Sequence, residues 1–124
     1  MAEKNLEVSV LLDHYGALLT EKQQQMIDLY YNDDLSLSEI AEQEGISRQG
    51  VRDNIKRAEA QLLSMEQALG FAGRFKRMIE LFAHAEEVLS ETEGELVRLR
   101  KTVAAKKIHT LREELAAFTE EEFE

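Results

Sequence analysis

From Val8 to Phe118 apolar side chains recur every three or four residues, and no proline interrupts them anywhere in the 124-residue chain. A proline-free rhythm of that period and length fits helices, whereas strands would need alternation at every second residue and turns rich in glycine and proline. Only six glycines are present, while Glu, Lys, Gln, Leu and Ala, which lose little side-chain freedom on entering a helix, are abundant. The expected fold class is all-α, without a winged extension, in a chain of single-domain size.

The composition also excludes chemistry. Without cysteine there is no disulfide framework, thiolate metal site or cysteine nucleophile. His14, His84 and His109 lie far apart, and His84 with Glu87 forms a lone pair without the reciprocal ligands of a bundle metal site. No glycine-rich phosphate loop, nucleophile elbow or paired-histidine motif occurs. A non-enzymatic binding protein without a cofactor is expected. No apolar run approaches the roughly 18 residues of a membrane span. Residues 1–10 lack the basic-then-apolar order of a signal peptide. A cytoplasmic location with no membrane partner follows.

Val8, Leu11, Leu12, Tyr15, Leu18 and Leu19 share one helical stripe. Thr20 with Gln23 forms a capping box that opens a second helix carrying Met26, Ile27, Tyr30 and Tyr31, and Asn32-Asp33-Asp34 favours its end. Ser36 with Glu39 opens a short third helix burying Leu37, Ile40 and Ala41, which Gly45 terminates. Ser47 then caps a long helix with apolar positions Val51, Ile55, Ala58, Leu62, Met65 and Leu69. A fifth helix carries Phe75 to Leu89. A last one starts with Leu96, Leu99 and Val103 and shifts register to Ala104, Ile108, Leu111, Leu115 and Phe118.

The formal charge is −10, which spread evenly would repel nucleic acid. It is not even. Residues 1–47 hold ten acids and two bases, residues 48–57 hold four bases and one acid, and the remainder holds fourteen acids and nine bases. The basic segment falls within Leu35–Arg57, a capped short helix, a glycine turn and a capped long helix, which is the layout of a helix-turn-helix. Ile40, Ala41, Ile46, Val51 and Ile55 lock the two helices. The outward face of the second offers Ser47, Arg48, Gln49, Arg52, Asp53, Lys56 and Arg57 as the candidate nucleic-acid-binding residues, able to read base edges or hold phosphates. Asp53 sets a negative charge in their midst.

The stretch from Thr20 to Glu59 is similar to region 4 of bacterial sigma factors. More closely, roughly the first 60 residues resemble the YlxM family of small bacterial helix-turn-helix proteins. The matching residues are Asp13 and Tyr15, Leu18-Leu19-Thr20 with Lys22-Gln23, Leu29-Tyr30-Tyr31, Asp33-Asp34, Ser36 to Glu42, Ser47-Arg48-Gln49, Val51 and Asp53 to Arg57. Gly50 and Arg52 stand where that family tends to have alanine and tyrosine, so base preference does not carry over there. The resemblance implies a non-enzymatic regulatory protein that binds DNA through this motif. It also implies a link to the signal recognition particle pathway, because genes of the family neighbour those of the particle's GTPase and its receptor. An accessory protein that binds the particle's RNA or GTPase, or another protein, without touching DNA is the alternative.

The organisation expected is a helix-turn-helix domain over 1–69 with its recognition helix at about 47–69, a helical extension over 70–118, and a frayed acidic tail over 119–124. A basic run, Arg98, Arg100, Lys101, Lys106, Lys107 and Arg112, is free of acids and has Glu86, Glu87, Glu91, Glu93 and Glu95 as pairing partners. The long apolar stripes of the last two helices exceed what the first half can cover, so a homodimer through them is expected.

Overall fold

The computed structural model describes residues 4–123, which form α1 (Leu6–Tyr15), α2 (Glu21–Tyr31), α3 (Leu37–Glu44), α4 (Arg48–Leu69), α5 (Phe71–Arg98) and α6 (Thr102–Phe123). No strand occurs among the described residues, and the fold is all-α. Contacts divide the chain into two compact units, Met1–Ala72 and Gly73–Glu124.

In the first unit α4 is the central element and α1, α2 and α3 pack on it. Val51, Ile55, Ala58 and Leu62 recur along one face of α4 and are fully buried, as are Met26, Ile27 and Ile40 from the helices around it. Each helix is started by local chemistry. The Asn5 side chain accepts from the Glu7 N–H, and the boxes Thr20/Gln23 and Ser36/Glu39 are both formed reciprocally. Asn5 carried no flag in the sequence, since no Glu or Gln follows it at the third helical position.

The first helical stripe is shorter than its apolar spacing predicts. α1 ends at Tyr15, and Gly16–Leu18 form a 3-10 turn, whose tighter winding rotates Leu18 out to 65% exposure while Leu19 returns to the core. Beyond Leu62 the α4 stripe also fades, with Met65 half-buried and Leu69 exposed. The unit closes around Tyr15, whose hydroxyl donates to Glu66 Oε1 at 2.6 Å and accepts from the Phe71 N–H at 3.1 Å. The same Glu66 oxygen accepts from the Ala72 N–H at 3.0 Å, so one carboxylate satisfies the otherwise orphaned start of α5.

In the second unit α5 and α6 form an antiparallel hairpin. The Phe75 ring meets Phe123 at 5.1 Å and the Phe82 ring meets Phe118 at 5.9 Å, both edge-on. Arg112 donates from Nε and Nη2 to Glu86 Oε1 and from Nη1 to Glu93 Oε2. Its hydrogen bond holds the Glu93 carboxyl below the usual carboxylate range.

Two expectations are corrected here. The register shift read inside one last helix is a chain reversal: Leu96 lies in the last turn of α5, which ends at Arg98, and Val103 lies in the first turn of α6, which begins at Thr102. Arg100 sits at φ 57, with Lys101 N–H bonded to Leu96 O and Arg100 N–H to Val97 O. That is a Schellman ending built without glycine, and so it left no mark in the sequence. Next, of the basic run only Arg112 pairs with the α5 carboxylates, while Arg98, Arg100, Lys101, Lys106 and Lys107 form no ion pair among the described residues. α6 runs to Phe123, whose ring packs against Phe75 and Phe82.

Candidate nucleic-acid interface

The turn between α3 and α4 is set by Gly45, at φ 69 in the left-handed region that glycine enters without cost. Its N–H returns to the Ala41 carbonyl, and the Ile46 N–H reaches the same oxygen at 3.2 Å. Ile46 packs against the core and fixes how α4 leaves the turn. The end of α3 is tied to α2 by Gln25 Nε2, which donates to Glu44 Oε1 at 2.8 Å. Ser47 starts α4 by accepting from the Gly50 N–H at 3.0 Å. Its role is thus a cap at the mouth of the surface.

With Val51, Ile55 and Ala58 turned inward, helical geometry puts Gln49, Asp53 and Lys56 at the middle of the exposed face. Arg48 and half-buried Arg52 line one edge and Arg57 the other. All seven residues singled out in the sequence therefore belong to one surface. Arg48 to Lys56 spans about 12 Å along the axis, comparable with the width of a major groove. Arg48, Arg52, Lys56 and Arg57 have no ion pair among the described residues. Asp53 is occupied, since Gln49 Nε2 donates to its Oδ1 at 3.0 Å. That bond orients the Gln49 amide and uses one of its two N–H donors.

Sequence reasoning missed Glu59, which lies on the Arg48–Arg52 edge two turns beyond Arg52 and one turn beyond Ile55. Burial pushes its carboxyl pKa up, opposed by a hydrogen bond from the Tyr31 hydroxyl and by the Lys56 charge. Burial also pushes the Tyr31 hydroxyl up to about 12. The signal available was position alone, eleven residues after Arg48 on a 3.6-residue helix. A carboxyl raised in the folded state favours the protonated form, so its contribution to stability is full below the unfolded value and is lost as pH rises through the folded value. Glu59→Gln should therefore raise the urea midpoint near neutral pH, and the gain should vanish under acid conditions where Glu59 is already protonated. An equal gain at both pH values would show that the effect is not ionisation.

Nothing at this surface resembles a reaction centre. Among the described residues no group of three His, Cys, Asp or Glu side chains is arranged to hold a metal ion, and no helix is long and apolar enough to cross a membrane.

Comparison with known proteins agrees with this geometry. A family model described as "Putative helix-turn-helix protein, YlxM / p13 like" matches residues 2–103, well past the roughly 60 residues in which the resemblance was legible. The chain is 42% identical over 105 residues to a UPF0122 protein of Halalkalibacterium halodurans, spanning 83% of this chain and 96% of that one. It is 44% identical over 105 residues to a UPF0122 protein of Bacillus mycoides, spanning 85% and 96%.

Proposed function

Because this chain belongs to the UPF0122 family of YlxM / p13-like helix-turn-helix proteins, we propose that it is a regulatory protein that binds duplex DNA through the first turns of α4. The observation that carries the reading is the set of four cations, Arg48, Arg52, Lys56 and Arg57, without an ion pair among the described residues and lying around the outer side of the helix that follows the Gly45 turn. Arg48 and Gln49, in the first turn, supply base contacts, and Arg52, Lys56 and Arg57 hold phosphates. The rest of the Met1–Ala72 unit is acidic, so within it few phosphates are neutralised.

The test is a fluorescence-anisotropy titration of a labelled duplex with the full chain at several salt concentrations. With about three phosphates neutralised, log affinity should fall against log salt with a slope of roughly −2 to −3, and Lys56→Ala should make it shallower by about one. The link to the signal recognition particle pathway enters as a second arm of the same titration. If the particle's RNA binds while random duplexes do not, the same cations serve RNA and the DNA reading fails.

A further inference from the structure

The hairpin of α5 and α6 buries very little. Within Gly73–Glu124 the one hydrophobic residue that is buried among the described residues is Ala105. Large apolar side chains lie open instead: Val103, Leu111 and Phe118 on α6 are 71, 43 and 43% exposed, and Leu81 and Val88 on α5 are 62 and 45% exposed. Each set is turned roughly a third of a turn, in the same sense, from the line along which its helix meets the other. Since the two helices run in opposite directions, both sets fall on the same side of the hairpin. A face this apolar and continuous marks an interaction surface.

The order of side chains along that face decides what covers it. On α6 the face reads Val103, Lys107, Leu111, Glu114, Phe118. Laid antiparallel on a copy of itself with Leu111 at the centre, Val103 meets Phe118, Lys107 meets Glu114 and Leu111 meets Leu111. On α5 the face reads Arg74, Leu81, Val88, Glu95. Reversed about the point between His84 and Ala85, Arg74 meets Glu95 and Leu81 meets Val88. These two centres lie at nearly the same height of the hairpin, because Arg112 bonds Glu86 across it. One twofold axis perpendicular to the helices therefore serves both, within about one helical turn. Parallel pairing would instead stack Lys107 on Lys107 and Glu114 on Glu114.

We infer that a second copy of this chain covers the face, as an antiparallel twofold dimer with α5 on α5, α6 on α6 and Leu111 at the axis. The dimer is independent of the nucleic-acid reading. Light scattering of the full chain at micromolar concentration should give twice the 14.2 kDa chain mass. Lys107→Glu and Glu114→Lys should each weaken dimerisation by about tenfold, because symmetry makes each substitution count twice, and the double swap should restore it. The chain has no cysteine of its own, so single cysteines report the orientation directly. Val103→Cys mixed with Phe118→Cys should form an interchain disulfide, and neither variant should do so alone. A monomer mass across the micromolar range would overturn the proposal and leave the face to a different protein. Cross-linking of each variant with itself would overturn the antiparallel order, as would a double swap that fails to rescue.

Discussion

Ile55→Ala is expected to cost the first unit about 3 kcal/mol, within the range for deleting a large aliphatic side chain from a packed core. The side chain is fully buried on α4, the helix on which α1, α2 and α3 converge, so the atoms removed leave contacts with several elements unfilled at once. Against a typical total of about 5–15 kcal/mol, such a loss would shift the urea transition severely. The chain offers a clean reporter: it has no tryptophan, and Tyr15, Tyr30 and Tyr31 all lie within Met1–Ala72. Tyrosine fluorescence in urea therefore reads this unit alone. Leu18→Ala is the control, since its side chain is largely exposed, and it should change stability by no more than about 0.5 kcal/mol. Equal effects of the two substitutions would contradict the packing described for α4.

Reversing two charges at the start of α4, Arg52→Glu together with Lys56→Glu, should lower duplex affinity by a hundredfold or more at low salt. Each lost phosphate contact forfeits the release of about one condensed counterion, worth on the order of tenfold in dilute salt, and each new carboxylate adds repulsion. Both side chains project from α4 away from Val51, Ile55 and Ala58, so the core beneath them is untouched. The urea transition read by tyrosine fluorescence checks that the variant is folded. The reversal also turns the basic segment at the start of α4 acidic.

What the sequence disclosed follows from how local each cause is. Thr20, Ser36 and Ser47 cap helices through side chains that reach only three residues ahead, and Gly45 bends the chain through its own φ, so each could be recognised in place. The buried faces of α2, α3 and α4 were legible for the same reason, as periodicity along one strand of sequence. Other features depend on partners distant in the chain. Leu18 looks like core until the 3-10 turn rotates it away, and the Arg100 reversal is held by backbone bonds that any residue type can make. At the candidate surface the seven residues could be grouped from sequence because they form α4's first turns and its cap, Ser47. The hydrogen bond tying Gln49 to Asp53, and the burial that raises Glu59 next to Tyr31, needed coordinates. Pairing of the basic run with Glu86 to Glu95 was overestimated because sequence distance says nothing of side-chain reach. Among the described residues of that run, Arg112 alone turns toward α5 and bonds Glu86 and Glu93.

The measurement that tests the central claim most directly is the dissociation constant of one labelled duplex for the unaltered chain and for Arg52→Glu/Lys56→Glu, side by side in the same low-salt buffer. Binding by the unaltered chain with a loss of at least about a hundredfold in the variant is the predicted result. Equal affinity of the two proteins, or no binding by either, would contradict a nucleic-acid contact through the first turns of α4.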